Sequence, residues 1–175
     1  MSEYATIGAP IYFSSYKISD NLIINVYITD TAGQERFKEI NLRHYKNADS
    51  IILLYDITNK YSFDECKNYF CKKIKENCKN NIKVILIGNK KDLEDERKVS
   101  FKEANDFAVV NNYIHMETSC LRNENVFETF KKAIEITLME KKKETEKEKK
   151  NEIINENKKE NKNENKSDNN TCLIN

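Results

Sequence analysis

Asp30-Thr31-Ala32-Gly33-Gln34-Glu35-Arg36-Phe37, with Asn89-Lys90-Lys91-Asp92 further along, decides how this chain reads. Each stretch follows a strand-like run, Leu22–Thr29 in the first case and Val84–Ile87 in the second. An aspartate at a strand end can hold the water shell of a divalent cation. Gly33 has no Cβ, so its backbone N–H can approach an anion closely. Gln34 carries an amide able to orient a water molecule. Asn89 can tie neighbouring loops together, and the methylene stem of Lys90 can lie along a flat apolar surface. The Asp92 carboxylate can accept two parallel hydrogen bonds from a group that offers two adjacent donors.

Working outward, apolar runs alternate with helical patterns. Ile11–Ile18 and Leu22–Thr29 read as strands joined by a turn at Ser19-Asp20-Asn21. Ile51–Tyr55 and Val84–Ile87 are short continuous apolar runs, the pattern of strands buried on both faces of a parallel sheet. Ser62-Phe63-Asp64-Glu65 reads as a capping box that opens a helix with Phe63, Cys66, Phe70 and Ile74 on one side. Ser100-Phe101-Lys102-Glu103 repeats the device, with Phe101, Ala104 and Phe107 facing inward. Ile114–Glu117 is a last short strand. Asn125 is placed to cap a final helix carrying Val126, Phe130, Ala133, Ile134 and Leu138. The alternation predicts an α/β sandwich with helices on both faces of the sheet.

Composition narrows the function. The formal net charge of +1 provides no basic field for nucleic acid. The chain contains no apolar run near the roughly 18 residues that span a bilayer. Its five cysteines, Cys66, Cys71, Cys78, Cys120 and Cys172, fit neither a zinc site nor a disulfide framework, and read as reduced thiols of a cytosolic protein. His44 and His115 have no catalytic partner in the sequence and read as structural.

The two motifs resemble the nucleotide-reading segments of small GTPases of the Ras superfamily, and the Gln-Glu-Arg-Phe continuation looks most like the Rab branch. The resemblance covers about residues 6 to 138. It implies the P-loop NTPase-like three-layer sandwich of the small G-protein fold. It also implies a GTP-binding and GTP-hydrolysing switch in vesicle-mediated traffic. By resemblance, Gln34 positions the attacking water, and Gly33 presents its N–H to the terminal phosphate. Asp30 and Thr6 serve Mg²⁺, with Thr6 also on the phosphate. Asn89, Lys90 and Asp92 then hold guanine, whose N1–H and N2–H₂ match the Asp92 carboxylate; adenine lacks that donor pair. Glu117-Thr118-Ser119-Cys120-Leu121 resembles the family's third guanine loop. Ser119 matches it, and Cys120 stands where the family has alanine and uses a backbone N–H. Leu121 replaces a lysine that packs on the base, a departure that predicts weaker guanine affinity.

The chain has only three glycines, Gly8, Gly33 and Gly88, and no Gly-Lys pair. The phosphate-binding G-x-x-x-x-G-K-[ST] loop therefore cannot be drawn from it. Residues 1–138 are expected to form a GTPase domain that lacks its first strand, P-loop and first helix. The strands matching Leu22–Thr29 and Ile51–Tyr55 would then face an empty slot, and phosphate affinity would fall sharply. The expectation is a gene-model truncation of an ordinary Rab-like switch. The alternatives are a non-catalytic effector-binding module and an unstable product.

From residue 139 to Asn170 the chain is almost entirely Lys, Glu and Asn, the composition of a disordered tail. It ends in Cys172-Leu173-Ile174-Asn175, a C-a-a-X-like pattern that predicts prenylation at Cys172. One lipid anchors weakly, and the tail supplies no polybasic second signal. The resemblance implies effectors, exchange and activating proteins, and prenylation machinery as partners. It places the protein on the cytoplasmic face of endomembranes, partly cytosolic. Gly8-Ala9 and Met116-Glu117-Thr118-Ser119 point toward an endosomal Rab.

Overall fold

The computed structural model describes residues 10–31, 44–79 and 81–167, with side chains up to residue 150. It divides into two units, Met1–Ala133 and Ile134–Asn175.

In the first unit, β1 (Ile11–Ser19) and β2 (Leu22–Thr29) form an antiparallel hairpin about the turn at Asp20-Asn21. Ile11 pairs with Thr29 and Ser19 with Leu22, with a register shift between Lys17 and Ser19. A separate parallel sheet has the order β3 (Ser50–Asp56), β4 (Lys83–Asn89), β5 (Ile114–Glu117). Its register runs from Ser50 opposite Lys83 to Asp56 opposite Asn89, then from Ile85 opposite Ile114 to Gly88 opposite Glu117. Among the described residues, β4 lies along one edge of β3 and no strand lies along the other. A short helical stretch over residues 44–47 precedes β3.

The connection from β3 to β4 is one helical run in three parts: α1 (Lys60–Glu65), a π-helical turn at Cys66–Phe70, and α2 (Cys71–Asn77). It starts three residues earlier than the capping box predicts. Asn59, not Ser62, is the N-cap, its side-chain oxygen accepting from the N–H groups of Tyr61 (3.0 Å) and Ser62 (3.4 Å). The Ser62 hydroxyl instead donates to Asn59 O (2.7 Å) and accepts from the N–H of Asp56 (3.0 Å), which locks the helix start to the end of β3. In α3 (Phe101–Val110) the cap is as predicted, with Ser100 accepting from Glu103 N–H at 3.1 Å. The Glu103 carboxylate pairs with Lys60 instead of closing the box.

The core lies where Leu53, Tyr55, Val84 and Leu86 on one sheet face meet Phe63, Cys66, Ile74, Ala104 and Ala108 from the helices. Phe63 centres it, 4.9 Å from the Tyr55 ring and 5.8 Å from Phe107. Ile85 and Ile87, which point to the opposite face, are buried as well. The predicted two-sided burial of this strand is therefore observed, in a parallel sheet with helices as the α/β small G-protein fold requires. Gly88 is obligatory here, because a Cβ would sit 2.6 Å from Tyr55 Oη. Three residues predicted to be buried are exposed, the first being Leu54 at 54%, so the outer face of β3 is not covered as predicted. Phe101, at the first turn of α3, lies on the rim against His115 (4.8 Å between rings), and Phe130 is also open to solvent. Cys66 and Cys71 are buried free thiols, and burial pushes the Cys66 thiol up to about 12.

Asn125 does not cap the last helix with its side chain. Its φ is 57°, its amide donates to Glu117 O (2.9 Å), and only its carbonyl enters the helix, accepting from Thr129. That helix, α4 (Val126–Ser167), continues through the second unit, where composition predicts disorder. Lys and Glu are good helix formers, and local contacts such as Lys143 with Glu140 (4.0 Å) keep such a helix together without an apolar face.

Candidate functional site

The site forms where β4 and β5 end. Thr118 N–H donates to Gly88 O (2.9 Å) and Lys91 N–H to Thr118 O (3.0 Å), so the two exits are joined by backbone bonds. Lys90 takes the left-handed conformation (φ 66°, ψ 35°), which turns the chain sharply after Asn89. Asn89 Oδ1 then accepts from Thr118 Oγ1 at 3.1 Å and receives the Cys120 N–H at 3.4 Å. Ser119, fully buried, donates its hydroxyl to Asp92 Oδ1 and accepts the Arg122 N–H at 3.1 Å. Reciprocal backbone bonds between Ser119 and Glu124 close the second loop, and the Lys91–Glu124 ion pair spans both loops. The structure therefore brings together five of the predicted residues: Asn89, Lys90, Asp92, Ser119 and Cys120. The Cys120 thiol is free and exposed, and Leu121 is 84% exposed, with no side-chain support for a base.

Three further residues support these loops and were not singled out from the sequence. Arg97 donates two bonds to Glu117, at 2.7 and 2.9 Å, two to Glu94, at 2.7 and 2.6 Å, and one to Val99 O at 2.9 Å. The paired carboxylates hold the Arg97 guanidinium well above its ordinary value, and Arg97 in turn holds Glu94 low. Glu117, immediately before Thr118, is thereby neutralised where it is buried. Asp56, at the end of β3, lies 2.8 Å from Lys90 Nζ and accepts both the N–H and hydroxyl of Thr58. Burial alone would raise the Asp56 carboxyl, but Lys90 and Thr58 outweigh it and hold it low. The sequence did carry a signal for Asp56: it is the charged residue that ends an apolar strand. An open cavity of about 580 Å³ lies beside Arg97 and Phe101, and none of Asn89, Lys90, Asp92 or Ser119 lines it.

The Ras family profile matches residues 1–139. The chain belongs to the Ras family. Rab proteins are among its relatives. It is 41% identical over 129 residues to the Ras-related protein Rab-1 of Theileria parva, covering 74% of this chain and 58% of that one. It is 41% identical over 126 residues to the Ras-related protein Rab-4A of Danio rerio, covering 71% and 58%. It is 40% identical over 125 residues to the GTP-binding protein ypt2 of Schizosaccharomyces pombe, covering 71% and 62%. The chain thus spans a little over half the length of the curated relatives it matches. The chain carries the Asn89–Asp92 and Ser119–Cys120 motifs on the α/β frame that they predict.

Of the remaining predicted residues, Asp30 closes β2, its N–H donating to Pro10 O at 3.0 Å, and its carboxylate is exposed. Thr6, Gly33, Gln34 and Cys172 lie outside the described residues. His115 is structural: its Nε2 meets Tyr55 Oη at 3.0 Å, and its buried Nδ1 has no partner among the described residues. Among the described residues no helix is long and apolar enough to cross a membrane, and no cluster of three metal-ligating side chains occurs.

Proposed function

We propose that this chain is a Rab-like guanine-nucleotide switch of membrane traffic. The observation that supports it best is the pairing of Asp92 with Ser119 and of Asn89 with Thr118 and Cys120, which ties the two loops together. Asp92 supplies the carboxylate for the guanine N1–H and N2–H₂, and the Cys120 N–H is the donor for the guanine carbonyl. Gln34 orients water at the terminal phosphate and Gly33 admits that phosphate to the backbone. Asp30 and Thr6 hold Mg²⁺, which neutralises phosphate charge when bound. The exposed Asp30 carboxylate, with no ion-pair partner among the described residues, suits a hydrated cation.

Residues 1–138 form the switch domain in this reading, and residues 139–175 carry a lipid at Cys172. Residence on the cytoplasmic face of endomembranes, endosomal among them, then depends on a second signal or partner. Effectors, exchange proteins, activating proteins and the prenylation machinery are the partners.

A second reading, a non-catalytic module that displays a partner surface, has its own support. Tyr12, Phe13, Ile23 and Tyr27 of the hairpin are each more than half exposed. Competition with a fluorescent GDP analogue decides between the two. GDP should displace the analogue and ADP should not, and Asp92→Asn should move the preference from GDP to the xanthine nucleotide. Failure of the wild-type chain to bind GDP at millimolar concentration leaves the module reading.

A further inference from the structure

Asp56 ends β3 directly opposite Asn89 in the sheet register. Both of its carboxylate oxygens are engaged. Oδ1 accepts the Thr58 N–H at 2.8 Å and the Thr58 hydroxyl at 2.7 Å, and Oδ2 lies 2.8 Å from Lys90 Nζ. The backbone is pinned as well: Asp56 N–H donates to Ser62 Oγ at 3.0 Å, and Ile57 N–H to Asn89 O at 3.1 Å. The carboxylate is therefore a fixed post rather than a mobile surface charge.

Lys90 leaves β4 in the left-handed conformation, yet its ammonium ends on the last residue of β3. Its methylenes must cross the carboxyl ends of two adjacent parallel strands, the place where open α/β sheets receive ligands. The root of that stem lies between Asn89 and Asp92. The Asp56 side chain is 21% exposed and that of Lys90 is 50% exposed, so the pair is sheltered at the carboxylate and open along the lysine.

We propose that Asp56 is a positioning residue of the base site. By anchoring the Lys90 ammonium it fixes the lysine stem as an apolar shelf for the purine and ribose, which rests on the guanine reading above. Thr58 is part of the device, because its two donors fix the rotamer of Asp56. Without the anchor the stem must be ordered each time a nucleoside binds, and the rotamer freedom lost by one long side chain corresponds to about a tenfold weaker affinity. The shelf meets base and ribose, not phosphate. The loss is therefore the same for guanosine as for GDP, whereas a general electrostatic effect of the carboxylate would act on GDP alone.

The test uses the full chain and competition of guanosine and GDP against a fluorescent GDP analogue. Asp56→Asn should weaken both ligands by a common factor of about ten. Thr58→Val, which keeps the N–H bond and removes only the hydroxyl, should weaken both by a smaller common factor. In parallel, mass spectrometry follows the acetylation rate of Lys90, with Lys91, paired to Glu124, as internal reference. Asp56→Asn should raise the Lys90 rate relative to Lys91. Unchanged guanosine affinity in a folded Asp56→Asn chain, a loss confined to GDP, or an unchanged Lys90 rate each overturns the positioning role and leaves the guanine reading standing. A wild-type chain that binds neither ligand removes both.

Discussion

Removing Arg97 should cost more stability than its place in a surface-adjacent loop suggests. The Arg97 and Glu117 side chains are only 16% and 7% exposed and face each other through two bonds of 2.7 and 2.9 Å. Arg97→Ala leaves Glu117 buried without its cation, on the strand end that positions Thr118 and Ser119. Breaking a buried pair from one side typically costs about 3–5 kcal/mol. The lower end, about 3 kcal/mol, is the reasonable figure, because the lost guanidinium opens a path for water to Glu117 and Glu94 stays in solvent. With a urea slope of about 1.5 kcal/mol per molar for a domain this size, the midpoint should fall by about 2 M. The mechanism makes a second, sharper demand. Replacing both partners with apolar residues, as in Arg97→Met with Glu117→Leu, should recover most of the loss, because no uncompensated charge remains. Urea unfolding followed by circular dichroism on the wild-type, Arg97→Ala and double-variant chains gives both numbers. A loss below about 1 kcal/mol in Arg97→Ala, or a double variant as unstable as the single, would refute the reasoning.

Gly88→Ala should destabilise by about 2 kcal/mol, since its Cβ would meet Tyr55 Cζ at 2.9 Å as well as the hydroxyl and that ring is buried in the core; thermal unfolding checks it. Asn59→Ala should cost about 1 kcal/mol by removing the N-cap of α1, whereas Ser62→Ala tests the separate link to β3, both read by urea midpoint. Acid should weaken the fold through His115, whose value burial lowers from 6.5; the Arg97 guanidinium adds to this and the Glu117 carboxylate opposes it. The unfolded chain binds that proton below about pH 6.5 and the folded one resists it, so stability should fall from pH 6.5 down through the folded value and then level. The His115→Gln chain should lack that part of the pH dependence, and retention of the full slope would assign it elsewhere.

Much of the sheet was legible because its residues leave few choices. Val84-Ile85-Leu86-Ile87 is apolar at every position, which only a strand covered on both faces accommodates, and both faces are in fact buried. Leu22–Thr29 and Ile114–Glu117 coincide with the predicted strands because turn residues or polar loops flank them. The Asn89–Asp92 and Ser119–Cys120 loops were legible for another reason: they carry a motif whose residue types and spacing are distinctive, and the structure brings those side chains together. What failed was local competition. Ser62 and Asn125 are both good cap residues by type, but each is claimed by a tertiary partner, Ser62 by the end of β3 and Asn125 by Glu117 O. Phe101 and Phe130 have core-type side chains at positions where the helix face has already turned to solvent.

The supporting residues were missed for a physical reason that bears on how the site works. Asp56, Arg97 and Glu117 lie outside the proposed base-contacting set; they hold the residues and strand ends that carry it. Their partners are distant in sequence, Asp56 with Lys90 and Arg97 with Glu117, so the pairing is not visible locally even where, as at Asp56, a charge at the end of an apolar strand marks the residue. Two of them nevertheless sit at strand ends beside motif residues, Asp56 opposite Asn89 and Glu117 opposite Gly88 and two residues before Ser119, while Arg97 reaches Glu117 from the loop before α3. The three parallel strands therefore bring Asp56, Asn89 and Glu117 to one edge, where Asp56 and Glu117 brace the proposed base-contacting loops. A substitution in a bracing residue should loosen the pocket without altering which base it prefers, whereas a change at Asp92 should alter the preference itself. That division separates Asp56 and Arg97 from Asp92, and it is the pattern expected if rigidity, not additional contacts, is what these ion pairs contribute.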